Sequence, residues 1–321
     1  MAEETLIAVE HLFRYYGMHQ AVHDISFNVS RGEVLGFLGP NGAGKTTTMQ
    51  IISGALAPSM GRVMVGGIDI LDAPKKAKAY IGYLPEHPPL YRELTVDEYL
   101  RYCARLHGIN RQAIPRALNS CKQRCGLDGA GDRLIDNLSK GYQQRVGIAQ
   151  AIIHAPAVVI LDEPTIGLDP IQIREIRNLI RELGSDHSVI LSTHVLPEVQ
   201  AVCDRVLIIQ QGRLVLNDRL DNLKRNIGGN YLRVAFRNPP NITELNKIPG
   251  IKQIDQLDGT RFRIQHDINA NVPEAIAVMA VESYWGLSEL APESHSLEET
   301  FIRLTCGEDL ETDGFVVEAS A

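Results

Sequence analysis

The residues with the clearest chemical capacity are Gly39, Pro40, Asn41, Gly42, Ala43, Gly44, Lys45, Thr46 and Thr47, consecutive in the chain. Glycines at this spacing let backbone N–H groups turn inward around an anion. A following helix would present its positive end, Lys45 could reach β- and γ-phosphate oxygens, and the Thr46 hydroxyl could ligate Mg²⁺. A second constellation is Val158-Val159-Ile160-Leu161-Asp162-Glu163. Two carboxylates there end an apolar run, and strand ends are where parallel sheets bind ligands. Asp162 is suited to hold Mg²⁺ and Glu163 to polarise the water that attacks a γ-phosphate. Alone, this second pattern also describes any strand that leaves a core into a polar turn. A third, Leu138-Ser139-Lys140-Gly141-Tyr142-Gln143-Gln144-Arg145, puts Ser139 and Gly141 at the opening of a helix. Such an opening suits an anion, but taken alone it reads more readily as an ordinary N-cap.

Positioning such groups takes an α/β scaffold. Over residues 5–222 short β-branched runs alternate with helical segments, the rhythm of a mostly parallel sheet. The runs at 35–38, 157–161 and 188–191 are apolar without alternation, as expected of strands buried on both faces. Between residues 87 and 150 strand signals give way to helical ones, including 96–106 and 114–123, which predicts an inserted helical lobe. The first domain is assigned to residues 1–228. After the Gly228-Gly229 pair the rhythm changes. Residues 229–305 read as a small β-α-β-β-α-β domain of ferredoxin-like order, with a hairpin turn at Asp258-Gly259 and a last helix at 297–304. The acidic, small-residue segment 306–321 is expected to be a disordered tail.

Composition narrows the function classes. The chain has 321 residues, a formal charge of −7 and a pI near 5.8, so it lacks the overall basic character expected of a protein that grips nucleic acid. Its five cysteines, Cys103, Cys121, Cys125, Cys203 and Cys306, have no zinc or redox spacing and suggest a reducing, cytoplasmic compartment. The acidic start Met1-Ala2-Glu3-Glu4 lacks a signal-peptide pattern, and no apolar run approaches the roughly 20 residues of a bilayer helix.

The octet at 138–145, taken with the two sites above, resembles the signature motif of ATP-binding-cassette (ABC) ATPases. Further positions match that family in order. Tyr16 stands where an aromatic ring stacks on adenine, and the sequence leaves open whether it or the adjacent Tyr15 is the packed one. Glu86, in Tyr83-Leu84-Pro85-Glu86, stands where the family usually has a Gln facing Mg²⁺. Asp169, in Gly167-Leu168-Asp169, belongs to the loop that crosses between two subunits, and His194 matches the histidine that contacts the γ-phosphate. The resemblance covers residues 6–211. It implies a phosphate-loop fold with N-terminal antiparallel strands and a helical subdomain, ATP and Mg²⁺ as ligands, and ATP hydrolysis in a head-to-tail homodimer. In that dimer Ser139 and Gly141 complete the partner's site. It also implies a separate polytopic membrane permease, and hence a peripheral place on the cytoplasmic face of the membrane. The permease contact is expected near residues 88–99, with Tyr91 and Leu94 as candidates. The segments Gly82-Tyr83-Leu84-Pro85-Glu86 and Leu297-Glu298-Glu299-Thr300-Phe301 are similar to ABC-2 exporters of the daunorubicin type and to gliding-motility ATPases. A soluble ATPase acting on ribosomes or nucleic acid is the alternative; two cassettes, a coiled-coil arm or basic segments would favour it, and none is seen.

Overall fold

The computed structural model of the chain describes residues 4–227, 231–267 and 270–293, together with Phe301. They divide into two units, the first ending at Leu220 and the second starting at Asp221.

The first unit runs β1 (Thr5–Tyr16), β2 (His19–Ser30), β3 (Val34–Leu38), α1 (Lys45–Ile52), β4 (Met60–Val65), β5 (Ile68–Asp69), α2 (Pro74–Lys78) and β6 (Ile81–Leu84). It continues through α3 (Val96–Leu106), α4 (Ile114–Arg124), α5 (Lys140–Ile152), β7 (Val158–Asp162), α6 (Pro170–Gly184), β8 (Ser188–Thr193), α7 (Leu196–Val202), β9 (Arg205–Gln210) and β10 (Arg213–Arg219). A six-stranded sheet has the order β10-β9-β3-β8-β7-β6 and is parallel except for β10. A second, antiparallel sheet has the order β2-β1-β4-β5.

Every residue of β3, β7 and β8 is buried, which explains their unbroken apolar character. Side chains alternate between two cores. Val158 and Ile160 join the core shared with β1, β2, β4 and α1, whereas Val159 and Leu161 join the one beneath α3, α4, α5 and α6. The same alternation directs Asp162 to the α1 side. In the helical lobe, α3 starts at a capping box: Glu98 N donates to Thr95 Oγ1 at 3.3 Å, and Thr95 N to Glu98 Oε2 at 2.9 Å. Cys121 on α4 and Cys125 just beyond it lie in the lobe core, where burial pushes the Cys121 thiol up to about 12. They are packing residues, not reactive thiols.

The lobe meets the sheet at a stacked histidine pair. The rings of His107 and His154 are 3.7 Å apart and 5° from parallel, and His154 Nε2 donates to the Ile81 carbonyl at 3.1 Å. Burial first, and then the charge of His107, lower the His154 pKa from 6.5 to about 4. Between those values the unfolded chain binds a proton that the fold refuses, so stability rises with pH across that window and is lost as pH falls from 6.5 toward 4. Urea midpoints measured from pH 7 to 4 should therefore fall less steeply for His154→Leu than for the wild type.

The helix α8 (Leu220–Ile227) leads into the second unit: β11 (Tyr231–Phe236), α9 (Ile242–Leu245), β12 (Ile251–Gln256), β13 (Arg261–His266), α10 (Val272–Glu282) and β14 (Leu287–Glu293). Its sheet is antiparallel in the order β12-β13-β11-β14. Phe236, Phe262, Ile264, Ile276 and Trp285 form its core. Asp258 sets the β12–β13 turn by accepting from the amides of Thr260 and Arg261 at 2.7 and 2.8 Å, contacts that also lower its pKa. The expected helix at 297–304 and the tail lie outside the described residues, apart from Phe301.

Candidate functional site

The loop after β3 delivers Lys45 as the first residue of α1. Gly44 precedes it at φ 107°, and a Cβ there would fall 2.5 Å from the Ala21 carbonyl oxygen, so only glycine fits. Lys45 is 5% exposed. Its Nζ donates to the carbonyls of Gly39 and Pro40 at 2.9 and 3.2 Å and lies 3.4 Å from Glu163 Oε1.

Glu163 follows β7 at φ 49°, a left-handed conformation uncommon outside glycine, and its amide donates to Ser192 O at 2.8 Å. That turn breaks the strand's alternation and swings the carboxylate toward β8. There His194 Nδ1 meets both carboxylate oxygens, at 3.0 and 2.9 Å. A carboxylate only accepts, so Nδ1 carries the proton in this contact. Glu163 thus stands between the lysine ammonium and the imidazole.

Asp162 is fully buried, and neither carboxylate oxygen has a hydrogen-bond partner in good geometry. Burial raises its pKa, and the charges of Glu163 and Glu86 add to the rise. The nearby hydroxyls of Ser192 and Thr46 oppose it without forming well-aligned bonds. Such a group lacks a positive partner. No set of three or more His, Cys, Asp or Glu side chains suited to a metal occurs among the described residues. The orphaned Asp162 carboxylate and the nearby Thr46 hydroxyl are a donor pair that fits a cation of the Mg²⁺ kind, which is held by one or two protein oxygens with phosphates and water supplying the rest.

Lys45, Glu163 and His194 face a cleft of about 380 Å³ lined also by Tyr16, Asn41, Gly42, Gly44, Thr46, Thr47 and Glu86, whereas Asp162 is fully buried and is not among its lining residues. Gly39 and Pro40 take part through their carbonyls, and Ala43 is buried behind the loop. Of the adjacent tyrosines, Tyr16 lines the cleft with the Arg14 guanidinium 4.8 Å from its ring centre. Tyr15 instead stacks with Phe13. Sequence reasoning left out His19, Ala21 and Ile166, which also line the cleft. His19 could have been found, because it pairs with Tyr16 across the β1–β2 hairpin.

Ser139, Gly141 and Asp169 are not among the cleft's lining residues. Ser139 caps α5 by accepting from Tyr142 N at 3.4 Å. Asp169 caps α6, accepting from Ile171 N and Gln172 N at 3.0 and 2.9 Å. A Cβ on Gly141 would meet the Gln172 side chain at 2.7 Å, so the starts of α5 and α6 lie against each other.

Fold and cleft together define a phosphate-loop nucleotide-hydrolysing domain. The family profile described as "ABC transporter" matches residues 22–166. The ABC transporter ATP-binding protein YdbJ of Bacillus subtilis is 34% identical over 98% of this chain and 99% of its own length. The linearmycin resistance ATP-binding protein LnrL of the same organism is 30% identical over 94% and 98%. Among solved structures, an ATP-binding subunit of an ABC transporter superposes with a TM-score of 0.63 at 33% identity, over 69% of this chain and 92% of that one. The chain belongs to the ATP-binding proteins of ABC transporters, and it binds and hydrolyses ATP. Proteins of this family act together with membrane components. No helix among the described residues is long and apolar enough to cross a membrane itself.

Proposed function

We propose that this subunit powers an exporter through ATP-dependent closure of a head-to-tail homodimer on the cytoplasmic face of a polytopic membrane permease. The observation that carries the assignment of the site is the buried, unpartnered Asp162 carboxylate beside Thr46, in the neighbourhood of Lys45, Glu163 and His194. Tyr16 stacks on the adenine, the 39–47 loop cradles the phosphates through its amides, and Lys45 leaves its loop carbonyls for the β/γ oxygens. Thr46 and Asp162 would hold Mg²⁺, with Glu86 near it, and the ion when bound would supply positive charge against that which develops on the phosphates. Glu163 takes the proton of the attacking water, and His194 contacts the γ-phosphate.

Ser139, Gly141 and Asp169 serve the partner's site. Their separation from the cleft on their own subunit supports this assignment, as does the capped start of α5, whose first-turn amides suit an anion. Ser139→Arg should leave ATP affinity within about twofold yet lower turnover by about 100-fold, because a long cation blocks approach of the partner's γ-phosphate. Wild-type turnover in that variant, read from phosphate release at saturating ATP, would sink the shared-site model.

Export is supported by relatives named for bacitracin transport and linearmycin resistance. For the permease contact, Tyr91 is 45% exposed and packs against Tyr99 and Tyr102, whereas Leu94 backs onto the lobe core. Of the two candidates, Tyr91 offers the more exposed ring for that contact. The deciding experiment is a pull-down of tagged Glu163→Gln protein from native membranes with Mg²⁺ and ATP. Co-purification of a polytopic membrane protein is expected; ribosomes or nucleic-acid-bound factors in its place would overturn the transporter assignment.

A further inference from the structure

Glu198 lies in the first turn of α7, is 2% exposed and has no cationic partner among the described residues. Its two carboxylate oxygens take different partners. Oε1 accepts from the Thr165 hydroxyl, two residues beyond Glu163, and Oε2 accepts from the Thr193 hydroxyl at 2.8 Å, one residue before His194. Both threonines are buried, at 6% and 0% exposure. Thr193 Oγ1 also accepts from Val195 N at 3.1 Å, on the far side of His194. The carboxylate therefore ties the segment leaving β7 to the segment leaving β8. Those two segments carry the Glu163 and His194 side chains, which meet at 2.9 Å.

Burying a charge without a counter-ion costs stability, and an apolar side chain of similar volume would fill the same space at lower cost. A carboxylate offers what no apolar residue can, namely two fixed acceptor directions that hold two separate hydroxyls at once. We propose that Glu198 is a positioning residue that braces the Glu163 and His194 segments through Thr165 and Thr193, fixing the geometry of the water-activating pair. The proposal rests on the assignment of Glu163 as the base. It places Glu198 outside direct contact with ATP, so its effect falls on the chemical step and not on nucleotide affinity.

The test compares Glu198→Gln, Thr165→Val and Thr165→Ser in the full chain, with Glu163→Gln as reference. Phosphate release at saturating ATP, affinity for a fluorescent ATP analogue and thermal midpoint are read for each. Glu198→Gln and Thr165→Val should lower kcat by about 10- to 100-fold, the scale of misplacing a catalytic group by a fraction of an ångström to an ångström. Nucleotide affinity should stay within about twofold. Thr165→Ser keeps the hydroxyl and should restore turnover, and a Glu198→Gln/Thr165→Val double variant should lose little more than either single one. Wild-type kcat in both single variants while Glu163→Gln is inactive would overturn the brace alone. A fall in affinity matching the fall in kcat would also overturn it. Full turnover in Glu163→Gln would overturn the base assignment and the brace with it.

Discussion

Glu163→Gln should bind ATP with undiminished affinity, turn it over at least about 1,000-fold more slowly, and accumulate as a nucleotide-bound dimer. The size of the loss is that of removing a general base from a pre-organised site. Retention of binding follows from the lysine's surroundings. Lys45 Nζ keeps the carbonyls of Gly39 and Pro40 when the Glu163 charge is removed, and it no longer has to leave a carboxylate 3.4 Å away to reach the phosphates. The isosteric amide also preserves the turn at φ 49°, because the Glu163 amide bond to Ser192 O does not involve the side chain. Size-exclusion chromatography with Mg²⁺ and ATP, alongside phosphate release, reads both halves of the expectation. A variant that stays monomeric with ATP bound would remove the link between γ-phosphate and closure. By contrast, Lys45→Ala should fail at binding itself.

The second large effect is expected at Asp162, where stability and function should move in opposite directions. The carboxylate is fully buried and unpartnered, and burial raises its pKa. A carboxylate whose folded pKa lies above its unfolded value makes the native state bind more protons than the unfolded chain, so its charge weakens the fold at neutral pH and the deficit shrinks as pH falls. Asp162→Asn removes that charge while keeping the shape. Its thermal midpoint without nucleotide should rise above the wild type at pH 7.5, by roughly 2–4 °C for each kcal/mol recovered in a domain of this size. The gain should narrow on acidification. Turnover should fall by about 100- to 1,000-fold. Added Mg²⁺ and ATP should raise the wild-type midpoint more than that of Asp162→Asn, because the ion's contact with the carboxylate is lost. If Asp162→Asn unfolds earlier than the wild type in the absence of nucleotide, the carboxylate is not the unpartnered charge described here.

Both predictions depend on residues visible in the sequence. Sequence pattern was sufficient where local rules act alone. The Gly-rich pattern at 39–47, between an apolar run and a helix, reads as an anion cradle from local residues alone, and unbroken apolar runs at β3, β7 and β8 require cover on both faces. Ser139 at a helix start was legible for the same reason, since capping is set by neighbours two or three residues away.

What the sequence left open were choices between nearly equivalent neighbours and contacts between distant segments. Tyr15 and Tyr16 are interchangeable on paper, and the β1–β2 pairing sends one to Phe13 and the other to the cleft. Tyr91 and Leu94 were alike as candidates for an exposed groove, and the structure leaves Tyr91 exposed while Leu94 is partly buried against the lobe core. Glu198 drew no notice as a helix-start acid. Its partners at positions 165 and 193 are brought to it only because β7 and β8 are hydrogen-bonded side by side. Local propensity is written within a few residues, so the loop, the strands and the caps were determined by sequence alone. Which side chains converge on Glu163 depends on strand register and on which face each strand turns to which core, and that only the tertiary structure decides.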